Sequence, residues 1–104
     1  MIFANLEYAG RYEEMHDGLC SFLRNRFAHV EAGLQSDSWI WVHMGSDKVA
    51  IDTFTSMTHQ VKSRHAGEHV DDVIAALKEQ YSVVGYKQPE WEAHEDIPPD
   101  AEYE

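Results

Sequence analysis

Between Ser38 and Thr55 the chain alternates twice, and each alternation assigns different chemistry to opposite sides. Trp39, Trp41 and His43 fall on one side and Ile40, Val42 and Met44 on the other, the period of two that belongs to a strand. Gly45, Ser46 and Asp47 break the run with turn-forming side chains. Lys48 to Thr55 resumes it, with Val49, Ile51 and Thr53 on one side and Ala50, Asp52 and Phe54 on the other. Two such runs about a short turn read as an antiparallel hairpin. A slip of one residue would exchange the faces. The preferred register therefore sets Met44 opposite Val49, Val42 opposite Ile51 and Ile40 opposite Thr53. That leaves one aliphatic face and one bearing Trp39, Trp41, His43, Asp52 and Phe54. The rival register places Trp41 beside Ile51 and Asp52 beside Ile40, mixing polar and apolar side chains on both faces.

An aliphatic sheet face needs a covering layer, and two segments have the periodicity to supply it. Tyr12, Met15, Leu19, Phe22, Leu23 and Phe27 recur at helical spacing and predict a helix over 11–28. Glu13, Glu14 and Asp17 lie early and Arg24 and Arg26 late, the order that complements the helix dipole. Val70, Val73, Ile74 and Leu77 predict a second helix, opening at Ala66 and Gly67 and running to Gln80. Residues 30–35 read either as a short strand or as an exit loop. The stretch 57–65, with Val61 among polar residues, reads as a third strand or as the end of one long bent strand. A last strand is expected over 81–87, with Pro89 ending it. The fold class is α+β: helix, two- to three-stranded antiparallel meander, helix and final strand, a single sheet layer packed by two helices. Residues 1–89 make one domain and residues 90–104 an acidic, flexible tail.

Charge narrows the partners. The chain has nineteen acidic and eight basic side chains, a net charge of −11 with histidines neutral. Residues 90–104 contain Glu90, Glu92, Glu95, Asp96, Asp100, Glu102 and Glu104 and no Lys or Arg, leaving twelve acids against eight bases in the body. A field of this sign repels phosphate backbones, so direct nucleic-acid binding is not expected. Cys20 is the single cysteine, which excludes an internal disulfide, fits a reducing cytoplasm and reads as a small core hydrophobe. No apolar run approaches membrane-spanning length, and neither a signal peptide nor an anchor is expected.

Few motifs carry chemistry. No serine sits in a glycine-flanked turn, Cys20 lies among apolar neighbours, and the glycines are too scattered to cradle a phosphate. No enzyme activity and no cofactor are expected. Seven histidines are many for this length. His65 and His69 are four apart and His59 lies six residues before them, so a three-histidine metal site can be drawn; without a carboxylate or cysteine pair in support, solvated histidines are the simpler reading. The tryptophan face is either covered, by the first helix or by Trp91 folding back, or offered to a partner with His43 and Asp52 orienting it. In the tail, Trp91 stands among Glu90, Glu92, Glu95 and Asp96, a combination that can steer and anchor a basic partner.

The expected function is that of a non-enzymatic acidic protein-binding module, an inhibitor or adaptor that engages a basic protein, in one form by imitating nucleic acid. Small phage-type anti-restriction and anti-CRISPR proteins are similar in composition alone, and acidic secretion chaperones in size and charge. The competing expectation is a small-ligand or metal-binding domain using the Trp39, Trp41 and His43 face or the His59, His65 and His69 histidines.

Overall fold

The computed structural model describes residues 1–91. The elements are β1 (Ile2–Glu7), α1 (Tyr12–Arg26), β2 (His29–Leu34), β3 (Ser38–Met44), β4 (Asp47–Asp52), β5 (Gln60–Lys62), α2 (Glu68–Lys78) and β6 (Ser82–Glu90). All six strands join one sheet in the order β2-β3-β4-β5-β1-β6, and every neighbouring pair is antiparallel. The α+β class stands, with six strands among the described residues where three or four are expected. Of residues 30–35, all but Gln35 belong to a strand, β2, rather than to an exit loop. The unforeseen strand is β1, whose Ile2, Ala4 and Leu6 are buried while Phe3 and Asn5 are half-buried. Its alternation is short and runs through Ala and Asn, two residues that strands disfavour, so the signal is weak.

The hairpin keeps the expected faces but not the expected register. Met44 pairs with Asp47, Val42 with Val49, Ile40 with Ile51, Trp41 with Ala50 and Trp39 with Asp52. Both candidate registers are thereby corrected: β4 sits two residues away from the preferred one. Gly45, at φ 64°, takes the first central position of a two-residue turn, a conformation that glycine adopts without penalty. A two-residue shift moves no side chain to the other face, which is why the faces come out right.

Ile40, Val42, Val49, Ile51 and Val61 are fully buried and form one cluster with Leu19 and Leu23 of α1 and Val70, Val73 and Leu77 of α2. Burying each such side chain contributes about 1.5–3 kcal/mol. α1 packs on β2 and β3, and α2 on β4, β5 and β6. Both helices thus lie on the aliphatic face, and of the alternatives for the tryptophan face, cover by α1 falls away. The α1 stripe is His16, Leu19, Cys20 and Leu23, with Cys20 in the core as expected. The helix opens with Glu14 Oε1 accepting the Arg11 N–H at 2.9 Å, a capping-box contact.

Pro89 does not end the last strand. β6 runs to Glu90, which pairs with Ile2 after a bulge between Ile2 and Ala4. Proline is tolerated there because β6 is an edge strand and needs no donor on its outer side.

Candidate functional site

The sheet face opposite the helices carries an aromatic row. Trp39 and Trp41 have ring centroids 4.5 Å apart, Lys48 Nζ lies 4.1 Å from the centre of the Trp41 ring, and His43 meets Trp41 edge-on at 6.4 Å. Across the β2 edge, His43 Nε2 is 2.6 Å from Glu31 Oε1. Gly33 pairs with Trp39, and a Cβ built on it would fall 2.5 Å from the indole. The missing side chain is what lets the ring lie over β2. Gly33 belongs to the site although nothing singled it out in the sequence. A glycine directly opposite a tryptophan is the signal, and it is readable only once register is known.

Asp52 is buried, its Oδ1 2.5 Å from Lys62 Nζ, and Phe54 is half exposed beyond it. A groove of about 850 Å³ on this side is lined by Trp41, Lys48, Phe54 and Arg64 together with Asp47 and His65. At the last two, three segments meet. Asp47 opens β4, His65 precedes α2 and His69 lies in the first turn of α2, with one ligand-capable atom of each within 4.8 Å of the others. His65 Nε2 is 3.3 Å from Asp47 Oδ1, and His69 Nδ1 is 3.8 Å from Asp47 Oδ2.

His59 is elsewhere, which corrects the drawn three-histidine set. It is fully buried in a chain of polar side chains at the end of β3. Its Nδ1 is 2.7 Å from the Tyr8 hydroxyl and its Nε2 is 2.7 Å from Ser38 Oγ. The same Oγ is 2.6 Å from His16 Nδ1, and His16 Nε2 is 3.5 Å from Cys20 Sγ. Ser38 has one proton to donate, so one imidazole donates to it and the other accepts from it. Burial, and after it the charge of His16, pushes the His59 pKa down to about 4. Burial also raises the Cys20 thiol and the Tyr8 phenol above their ordinary values, and a raised thiol is a poor nucleophile.

Trp39, Trp41, His43, Asp52 and Phe54 therefore share one side of the sheet. Glu90 ends β6, exposed, and Trp91 follows it half-buried. Glu92, Glu95 and Asp96 lie outside the described residues. No helix among the described residues is long and apolar enough to cross a membrane. No protein-family model, no curated protein and no solved structure matches the chain.

Proposed function

We propose that the chain is a non-enzymatic protein-binding module, an inhibitor or adaptor, that meets a basic partner through its Trp39–Trp41 face. The observation that supports this reading is the placement of both helices on the aliphatic side of the sheet, which leaves the paired indoles on the other. Two large, stiff rings supply contact area at little cost in side-chain entropy, the usual character of an interface anchor. The excess of carboxylates steers association toward positive surfaces. Proteins that bind nucleic acid carry such surfaces, so imitation of nucleic acid is one form this module takes.

Capture from a lysate tests it, using the full chain, a Trp39→Ala/Trp41→Ala double variant and a chain lacking residues 92–104. A partner should be held at low salt and weakened at high salt. It should be lost with the double variant at unchanged far-UV spectrum, and slower to associate without the tail. Binding indifferent to salt and to both changes overturns the proposal. A second reading, a small-ligand domain, draws on the groove, whose 850 Å³ is within the range of ligand pockets. It calls for quenching of Trp41 fluorescence by a small molecule, with no dependence on the tail.

A further inference from the structure

We infer that Asp47, His65 and His69 form a site for a divalent transition metal of the zinc class, with one coordination position open to the groove. The inference stands apart from the protein-binding reading, because none of its three ligands is a tryptophan-face side chain.

The hydrogen bonds around the two imidazoles fix which nitrogen of each carries the proton. Ser63 Oγ lies 3.1 Å from the Lys48 carbonyl and 3.0 Å from His69 Nε2. A carbonyl only accepts, so the single Ser63 proton goes to Lys48 and His69 donates its Nε2–H to Ser63. The His69 lone pair is then on Nδ1, the atom that faces Asp47 Oδ2. His65 Nδ1 lies 3.3 Å from the Ala66 carbonyl and donates to it. Its lone pair is on Nε2, which faces Asp47 Oδ1. Two nitrogen lone pairs and a carboxylate thus point at one another, an arrangement that repels itself until a cation or a proton enters.

The spacing suits a metal. Zinc bound at about 2.0–2.1 Å in a tetrahedron holds neighbouring donors about 3.3–3.4 Å apart, and His65 Nε2 to Asp47 Oδ1 is 3.3 Å. His69 Nδ1 is 3.8 Å from the other carboxylate oxygen, Oδ2, and with one donor taken from each residue the three lie within 4.8 Å of one another, so binding draws the ligands inward. Gly67 leaves room for the His69 ring, since a Cβ there would fall 2.8 Å from Nδ1 and Cε1. Ser63 is the outer hydrogen-bond acceptor that ligating histidines usually have. Two imidazoles and one carboxylate favour zinc and its transition-metal neighbours over magnesium or calcium, which prefer oxygen. Three protein ligands leave a fourth position free, as in zinc sites that bind a further ligand. Asp47 and His65 both line the groove, so that position opens into it.

Calorimetric titration of the chelator-treated full chain with zinc chloride tests the site. The expected result is one zinc per chain, with affinity reduced at least tenfold by Asp47→Asn and by His65→Ala, and about 10–100-fold by Ser63→Ala. His65 is largely exposed, so His65→Ala does not endanger folding. His43→Gln, which disrupts a histidine–carboxylate pair elsewhere on the sheet, should leave binding unchanged. Absence of binding heat overturns the inference and assigns the relief of repulsion to a proton. Binding that survives both Asp47→Asn and His65→Ala, or that is lost with His43→Gln, overturns it equally.

Discussion

Both ring nitrogens of His59 are engaged inside the protein, and that sets how the molecule responds to acid. Unfolded, the imidazole takes its proton near pH 6.5; folded, it resists until about 4. Between those values the unfolded chain binds more protons than the folded one, so stability falls as pH falls through this window and levels off below it. At 1.36 kcal/mol per pKa unit the full loss is on the order of 3 kcal/mol. Denaturant melts at pH 7.5, 5.5 and 4 should show the native chain losing stability relative to a His59→Gln variant, which has no proton to take up. Parallel loss in both proteins would assign the effect to other groups. Cys20, next in the same buried chain, carries a thiol that burial raises, so a thiol reagent should modify it only as fast as the chain opens. Rapid labelling of the native protein would contradict that. The seven histidines are plain in the sequence, but their division is not. His59 finds partners 51 and 21 residues away, and Asp47 reaches His65 and His69 across a strand, distances that no local spacing encodes.

At the scale of elements, the β3–β4 hairpin separates what alternation decides from what it leaves open. A one-residue slip would bury Asp52 among aliphatics, so alternation excludes it. A two-residue slip preserves both faces and costs only a longer turn, so hydrophobic pattern is silent between the two, and the short turn at Gly45 decides. Gly45→Ala should destabilise the protein by about 1–2 kcal/mol, the cost of a Cβ in the left-handed region. A change within a few tenths would mean that the turn does not hold this geometry. Gly33→Ala probes the same sheet differently, through the ring rather than the backbone. Its Cβ has to displace the Trp39 indole, so the near-UV circular dichroism of the Trp39–Trp41 pair should change while the far-UV spectrum does not. An unaltered near-UV spectrum would show that Trp39 does not lie over β2. The helices were readable because their stripes are long. The site was legible as a set of side chains sharing a face, but not as open or covered, because coverage depends on which side of the sheet α1 crosses.

Across the whole molecule, β2, β3, β4 and β5 follow one another in both sequence and space, whereas β1 returns from the beginning of the chain to lie between β5 and β6. Among the described residues β6 pairs with β1 alone. The first strand therefore ties the final strand to a meander that is otherwise local, and the weakness of its sequence signal hides how much depends on it. Leu6 is the side chain that does this work in the core: 1% exposed, on a strand between two others, in one cluster with residues of both helices. Leu6→Ala should cost about 2–5 kcal/mol by transfer and cavity together. The loss should not be spread evenly, because subglobal units open with their own free energies. In β6, the amides that exchange with solvent protected only by β1 should lose protection first. Those of β3, flanked by β2 and β4 and packed under α1, should retain protection close to the global stability. Hydrogen exchange resolved by residue gives the answer. Graded protection, lowest in β6 and highest in β3, supports a sheet held at one end by β1. Equal loss in every strand would mean that Leu6 serves a single cooperative unit in which the local meander has no stability of its own.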